Sequence, residues 1–339
     1  MKPLYLLFVS VAFLTACQST SKTSEQPDSI QMVDHVYFIE KQSAERLAAS
    51  SQRLAVKFAA YCTSGQHKGE LTEQWQQTME AWMALQGQER GPESALSLNW
   101  NMQFWPDKKN TTGRKMSQLL TKDQEWNIPE IQQQSVTTQG VGAIEWLLFD
   151  NASTLPSEGS CELGSAITSN FSLNAQKIAQ AWQTNPWDEV DETMWLNEYV
   201  ALLANQLDYS MKKISRPLAK IGQPRPYFSE AWRSETSLLM LEKNVEAMQA
   251  LYLANGFGLD HHLRMEGHVD LADRIVDHFS STLETWPESP SLFTTLQSKS
   301  GYQQTLSLYN KLEYLKYLIH EEVAIELNIA IGFNATDGD

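Results

Sequence analysis

The sequence has few cysteines, few basic residues and no apolar run long enough to cross a membrane. Its 339 residues include 3 cysteines, and 26 lysines and arginines stand against 41 aspartates and glutamates, for a formal net charge of −15. Because phosphate binding needs a basic face, this excess argues against nucleic acid as a partner. The sequence also lacks the His-Glu-x-x-His pattern, the glycine-rich phosphate loop and the Gly-x-Ser-x-Gly nucleophile elbow.

The first residues have the features of an export signal. Met1-Lys2 precedes the apolar run "LYLLFVSVAFL", and small residues lead to Cys17. The sequence Leu14-Thr15-Ala16-Cys17 resembles the bacterial lipoprotein signal, which predicts removal of residues 1–16 and lipidation of Cys17. An ordinary signal peptide with a chance cysteine is the alternative. Residues 17–33 are polar and predict a flexible tether, and Gln18 after the cysteine favours the outer membrane, with the protein facing the periplasm.

Two cysteines remain after Cys17, namely Cys62 and Cys161. In an oxidising compartment an even pair of this kind favours a disulfide over two buried free thiols. The sequence therefore predicts a Cys62–Cys161 bridge.

Apolar residues recur at helical spacing along nearly the whole chain, as in Leu47, Leu54 and Phe58 or in Trp195, Tyr199 and Leu202. No alternating apolar and polar run reaches strand length. The pattern predicts an all-α fold built of helical bundles. Chain length favours two domains, and the break around Pro186 places them at 34–186 and 187–339, with a long aromatic-rich loop at 91–113 in the first.

One carboxylate stands out in the predicted helix "QGVGAIEWLLFD". On a helical wheel Glu145 falls inside the apolar arc, between Leu148 and Phe149. A carboxylate removed from water needs a cation, hydrogen-bond donors or a metal, so a partner from elsewhere is expected. Gly142 is costly inside a helix, which predicts that another segment packs closely against the backbone there.

Four segments, in order, resemble the imelysin family of bacterial periplasmic proteins. Residues 140–148 resemble its Gly-x-His-x-x-Glu signature at Gly140 and Glu145, although Gly142 occupies the histidine position. The other three are "FWPD" at 104–107, "SEAWRSETSLLML" at 229–241, which matches at Arg233, Ser234, Ser237 and Leu238, and the closing "IGFNATDGD".

The resemblance implies two four-helix-bundle domains with the functional site between them, around the signature helix. Members have been described as zinc-type peptidases and as iron-associated proteins, so iron or zinc is the implied cofactor. Glu145 is then the central polar group, either a metal ligand or the ion-pair partner of Arg233. Ser234 and Ser237 are expected to donate hydrogen bonds, with Gly140 and Gly142 completing the ligand-binding set.

The lost histidine weakens the case for catalysis, since a hydrolytic zinc needs about three protein ligands. The sequence therefore predicts a non-catalytic binding component associated with iron or metal uptake. A zinc-type metallopeptidase and a metal-independent scaffold for polysaccharide or protein remain alternatives.

Two further features stay open at this stage. In "DHHLRMEGHVDLADRIVDH", His262, Glu266, Asp270 and Asp273 have helical spacing and predict either a metal-binding face or a solvated one. Tryptophans between residues 95 and 105 either belong to a core or form a platform for a sugar or peptide ligand.

Overall fold

The computed structural model describes residues 28–329, and within this range the chain is helical without any strand beyond one isolated bridge between Lys220 and Gln223. The predicted all-α fold is confirmed. The predicted signal segment, Cys17 and the closing "GFNATDGD" lie outside the described residues.

The first half of the chain contains three long helices and five shorter ones. Helices α1 and α8 pack along each other, and α1 also packs against α2, while α7 lies against both α2 and α8. A 3₁₀ turn at Val136–Thr138 precedes α7. The helices are α1 (Asp28–Ser64), α2 (Lys68–Met83), α3 (Glu93–Leu96), α4 (Asn99–Met102), α5 (Thr111–Leu120), α6 (Ile128–Gln132), α7 (Val141–Phe149) and α8 (Glu158–Ala181).

The second half is organised around α9, which packs against α10 and α14. A π-helical turn, Tyr317–Glu322, joins α14 to α15, and 3₁₀ turns lie at Pro226–Phe228 and Ala254–Gly256. The helices are α9 (Glu192–Leu218), α10 (Ser237–Leu253), α11 (Leu259–Met265), α12 (Val269–Glu284), α13 (Leu292–Thr295), α14 (Lys299–Lys316) and α15 (Val323–Glu326).

Helix α1 begins earlier than the sequence indicated. The predicted tether ran to residue 33, but residues 28–33 already belong to α1. The reason is that Met32 and Val36, four residues apart on one helix face, are both buried, so Met32 continues the apolar stripe of the helix. The predicted boundary of the tether at residue 33 was therefore wrong.

The connection between α8 and α9 contains Pro186, at which the sequence predicted a domain boundary. Pro186 falls between the end of α8 at Ala181 and the start of α9 at Glu192, and Asp191 caps α9 by accepting a hydrogen bond from the backbone N–H of Met194 at 3.0 Å. The buried apolar residues nevertheless form one continuous core through both halves, and α2 packs on α10. The division into two domains stays a prediction.

The predicted loop at 91–113 is not a loop throughout. It contains the single-turn helices α3 and α4 and the start of α5. Ala95 and Met102 are buried and fix the two short turns against the core, whereas the indole of Trp100 is 55% exposed.

Cys62 of α1 and Cys161 of α8 form a disulfide with their Cα atoms 5.6 Å apart, the pairing that the sequence predicted. The two helices that pack most extensively in the first half are thereby also joined covalently. Among residues 28–329, no helix combines the length and apolar character needed to span a bilayer.

We expect the Cys62→Ser/Cys161→Ser variant to unfold with a free energy about 2–5 kcal/mol lower than the parent protein. The bridge closes a segment with a sequence separation of 99 residues, and closing a long loop removes conformational entropy from the unfolded chain. Urea denaturation measures the change. The parent protein in reductant is the matched control, and a reduced parent as stable as the oxidised one would contradict the expectation.

Candidate functional site

Helix α7 is buried on almost every side because seven of its nine residues are removed from solvent. The indole N–H of Trp75 donates to the backbone carbonyl of Val141 at 3.2 Å and ties the start of α7 to α2. Glu145 is 5% exposed, so the predicted burial of this carboxylate is what the structure shows.

Gly140, which precedes α7, and Gly142, in its first turn, have opposite surroundings. A Cβ atom on Gly140 would lie 2.3 Å from the carbonyl oxygen of Met102, whereas a Cβ on Gly142 would meet no atom within 4 Å. The predicted close approach at Gly142 was therefore wrong. Gly140 is the residue that needs the absence of a side chain, because the backbone at the end of α4 passes over the start of α7 there.

Ser234 supplies the hydrogen bonds to Glu145. Its backbone N–H donates to Glu145 Oε1 at 2.9 Å, and its hydroxyl Oγ lies 2.9 Å from the same oxygen. The expected role of Ser234 as a donor at this carboxylate is met by both groups. The partner from elsewhere that the buried carboxylate needed is thus a serine in the segment before α10.

The segment that carries Ser234 has an unusual backbone. Ala231 and Glu235 have φ values of 46° and 58°, in the left-handed region that non-glycine residues seldom occupy. Such conformations persist only when the surrounding structure fixes them, and they concentrate at functional sites. Here the two strained residues flank Ser234 and direct its N–H toward Glu145.

Arg233 does not pair with Glu145 through its guanidinium, contrary to the predicted ion pair. Its Nε donates to Asp150 Oδ2 at 2.7 Å, one Nη donates to Asn110 Oδ1 at 2.6 Å, and the group lies over the Trp232 ring. Asp150 directly follows α7, where the backbone has become extended. The guanidinium of Arg233 therefore connects the end of α7 to the strained segment, while its positive charge and the backbone N–H of Arg233 both act to lower the pKa of Glu145.

Ser237 is likewise engaged elsewhere. Its Oγ accepts a hydrogen bond from the backbone N–H of Leu292 at 2.7 Å, at the start of α13. The expectation that Ser237 orients a ligand by donating beside Glu145 is not met. Its hydrogen bond instead joins α10 to α13.

A cavity of about 40 Å³ lies beside Glu145, with Gly142, Ser229 and Trp105 among its lining residues. Ser229 is 2% exposed, and its Oγ has no hydrogen-bond partner among the described residues. An unpaired buried hydroxyl group costs free energy. A ligand group that enters the cavity and forms a hydrogen bond with Ser229 Oγ would remove that cost. The space in front of Gly142 and the hydroxyl of Ser229 thus complete a small polar site, which we call the Glu145 cavity.

Burial raises the pKa of Glu145, and the hydrogen bonds from Ser234 and the positive charge of Arg233 oppose that rise. The net direction is upward because desolvation is the larger effect. The buried charge of this carboxylate is therefore disfavoured relative to that of a solvated glutamate.

The donor set around Glu145 does not fit a protein-bound iron or zinc ion. Both oxygens of Asp107 accept backbone N–H groups of α5, at 2.6 and 2.8 Å, and Asp150 holds Arg233. Glycine stands at the family's histidine position. Within the described part of the chain, no group of three or more His, Cys, Asp or Glu side chains is arranged to hold a metal.

A second buried polar cluster, which the sequence analysis did not identify, lies between the two halves. Lys213 of α9 and Glu230 form an ion pair with both side chains 1% exposed. Lys213 also donates to Gln86 at 2.9 Å and to Asn244 at 2.5 Å, and Glu230 accepts from Gln103 at 2.8 Å. We call these five residues the seam network.

Most polar groups of the seam network are hydrogen-bonded, while Glu230 Oε2 is compensated only by the charge of Lys213. The indole of Trp82 donates to Gln103 at 2.8 Å, and Gln86 donates both to Gln103 and to Glu230. Burial lowers the pKa of Lys213, whereas the charge of Glu230 raises it. One sequence signal was present, because Lys213 falls beside Ile214 on a helix that is buried on nearly all sides, where an unpaired lysine is not expected.

The histidine-dense stretch forms two helices instead of one face. Helix α11 ends at Met265 and α12 begins at Val269, with a left-handed turn at Gly267 between them. Arg264 binds Asp260 and Asp273, and Arg274 binds Asp270 and Glu322. Of the two possibilities left open by the sequence, the metal-binding face is not formed by Asp270 and Asp273, because both are engaged in ion pairs with arginines.

The fold and the site define an all-helical protein with a buried glutamate on a glycine-flanked signature helix, and the comparisons agree with this class. A sequence model described as Imelysin matches residues 41–319, so the chain belongs to the imelysin family. No curated protein matches the sequence.

Two solved structures share the fold. An imelysin-like protein from Psychrobacter arcticum 273-4 superposes with a TM-score of 0.77 at 19% identity, covering 90% of this chain and 97% of that one. A protein from Parabacteroides distasonis ATCC 8503, provisionally named an iron-regulated protein A precursor, has a TM-score of 0.65 at 12% identity, covering 88% and 96%.

Alanine at Gly140 and alanine at Gly142 should have opposite effects on stability. We expect Gly142→Ala to raise the free energy of unfolding by about 0.5–1 kcal/mol, because the new methyl group meets open space and alanine loses less conformational entropy on folding than glycine. Gly140→Ala should lower it by about 1–3 kcal/mol, since its methyl group overlaps the Met102 carbonyl. Chemical denaturation of the two variants checks both signs, and equal effects would contradict the contrast.

The raised pKa of Glu145 predicts that ionisation of this carboxyl group lowers the stability of the folded protein, and that the loss depends on pH. A folded-state pKa above the unfolded value means that stability is lost as the pH rises from about 4.3 toward the folded pKa. Glu145→Gln removes this cost and keeps a carbonyl oxygen for Ser234. We therefore expect the unfolding free energy of Glu145→Gln minus that of the parent protein to increase as the pH rises. The slope of this difference should be at most about 1.4 kcal/mol per pH unit.

Denaturation of both proteins at a series of pH values from 4 to 8 gives the comparison. Glu40→Gln is the matched control with the same sign, because burial raises the pKa of Glu40 to about 8. A pH-independent difference between Glu145→Gln and the parent would show that the carboxylate carries no such cost.

Proposed function

We propose that this protein is a non-catalytic binding lipoprotein of the imelysin type, connected with iron or metal uptake, that holds a polar group of an organic ligand in the Glu145 cavity. The proposal includes a lipid anchor on Cys17 in the outer membrane and exposure to the periplasm, which rest on the sequence Leu14–Cys17 and Gln18. The connection with iron is supported by the name of the neighbour from Parabacteroides distasonis.

The observation that carries the proposal is the buried pair of Glu145 and Ser229 around an open space. Glu145 Oε1 is held by Ser234, and Ser229 Oγ lacks a partner among the described residues. A cavity of about 40 Å³ has room for roughly one water molecule or one small functional group, since a water occupies about 30 Å³ of liquid. A hydroxyl, amide or ammonium group that donates to Glu145 and meets Ser229 fits this chemistry.

Peptide hydrolysis is not supported by the same residues. A catalytic zinc requires about three protein ligands and an open position for water. Around Glu145 the nearby carboxylates of Asp107 and Asp150 are engaged by backbone N–H groups and by Arg233. A metal ion therefore enters this site only with donors of its own, as part of an organic complex.

Titration of the purified protein with Fe(II), Fe(III) and Zn(II) should show no stoichiometric binding that depends on Glu145. The parent protein and Glu145→Ala should give the same calorimetric response, because one carboxylate does not form a metal site. Native mass spectrometry of the parent protein isolated from its own cells should show a non-covalent organic adduct. Glu145→Ala should lack that adduct.

Ser237→Ala is the control variant, because Ser237 belongs to the matched family segment and lies away from the cavity. It should retain the adduct, although the loss of its hydrogen bond to Leu292 lowers stability by about 1 kcal/mol. Stoichiometric binding of a free metal ion that disappears in Glu145→Ala would overturn the organic-ligand proposal and reinstate a protein-bound metal.

A further inference from the structure

A second cavity, of about 170 Å³, lies on the other side of the segment that contains Gln103 and Trp105. Its walls come from the end of α2, from α4 and from α9, so it opens between the two halves of the chain. Gln103 and Trp105 also line the Glu145 cavity, but Glu145 itself takes no part in the second one. We call this space the Trp100 cavity.

The volume of the Trp100 cavity fits a ligand that contains a single ring. A cavity of about 150 Å³ in a protein core holds one benzene molecule, and drug-sized ligands need about 300 Å³ or more. At 170 Å³ the cavity accommodates a single six-membered ring with its substituents reaching the opening.

The walls combine aromatic faces with side-chain amides. Trp82, Trp100, Trp105 and Tyr209 provide the rings, and Gln88, Asn99 and Asn205 provide amides. An aromatic face carries partial negative charge and attracts the C–H face of a saturated ring, while amides both donate to and accept from hydroxyl groups. This combination matches a pyranose, which presents C–H groups on its faces and hydroxyls around its edge.

Several wall residues are held in place before any ligand enters. Gln88 donates to both oxygens of Glu40, at 2.8 and 2.9 Å, and the amide of Asn99 donates to the backbone carbonyl of Gln88 at 3.3 Å. Gly87 has φ 81°, and a Cβ there would lie 2.5 Å from Tyr209, so the absence of a side chain lets Tyr209 form its part of the wall. Walls that are already ordered reduce the loss of conformational entropy that accompanies ligand binding.

Asn205 gives an independent sign of a missing partner. The residue lines the cavity and is 6% exposed, yet its Nδ2 group has no hydrogen-bond partner among the described residues. A buried side-chain NH2 group without an acceptor costs free energy, and acceptor oxygens on a ligand would remove that cost. Trp100, by contrast, is 55% exposed at the opening, where its indole can cover the bound ring.

We propose that the Trp100 cavity binds a single neutral pyranose sugar, with Asn205 donating to one of its oxygens and Trp100 stacking on its C–H face. The lining holds one acidic residue, Glu89, and one basic residue, Lys212, so no excess charge favours an ionic ligand. This site is separate from the Glu145 cavity and does not depend on the function proposed for it.

The test is a titration of the purified protein with neutral monosaccharides, both simple hexoses and N-acetylated amino sugars, followed by tryptophan fluorescence and calorimetry. We expect saturable binding of at least one of them at millimolar or lower concentration. Trp100→Ala and Asn205→Ala should each weaken that binding by about tenfold or more, because each removes a principal contact.

Two control variants make the result specific. Phe38→Ala removes an exposed aromatic side chain of α1 that is not part of the cavity, and Glu145→Gln alters only the other site; both should bind the sugar as the parent does. Trp100→Ala changes a half-exposed side chain and keeps the test valid if Asn205→Ala fails to fold. No saturable binding of any neutral monosaccharide, binding unchanged by Trp100→Ala, or preference for a charged sugar or a peptide would each overturn the proposal.

Discussion

The buried ion pair between Lys213 and Glu230 is the constraint on which both cavities depend. Each charge is removed from water, so each requires the other together with the amides of Gln86, Gln103 and Asn244. Breaking such a pair by removing one member leaves an uncompensated buried charge, which is far more costly than its net contribution to stability. The pair therefore fixes how the α2–α4 region, α9 and the segment before α10 meet, and Gln103, which lines both cavities, is fixed with it.

That segment also explains the state of Glu145. Glu230 enters the seam network, and Ser234, four residues later, reaches the carboxylate on α7 through a turn that Ala231 and Glu235 hold in left-handed conformations. Gly142 stands where the family signature has a histidine, and it leaves open space beside Glu145. The carboxylate is left among hydrogen-bond donors, an environment that suits recognition of an organic group better than coordination of a metal.

The sequence predicted features that depend on local pattern and on residue type. Helical spacing identified the buried faces of Leu47, Leu54 and Phe58, and the apolar arc around Glu145 predicted its burial. The partner of Arg233 could not be predicted from the sequence. The position of Arg233 depends on left-handed backbone conformations at Ala231 and Glu235, and residues other than glycine give no sequence signal for such conformations. The seam network was partly visible, since Lys213 interrupts a buried face, but Glu230 gave no sign that it would approach.

The disulfide has a consequence for how the chain behaves when it is cut. Everything from α2 to α7, including Glu145 and the half-exposed Trp100, belongs to the covalent ring closed by Cys62 and Cys161. A protease that hydrolyses one peptide bond inside this ring produces a new amino and carboxyl terminus without releasing a fragment. The nicked protein gains the mass of one water molecule and stays a single covalent species until the disulfide is reduced, so the helices on either side of the cut remain tethered within reach of each other.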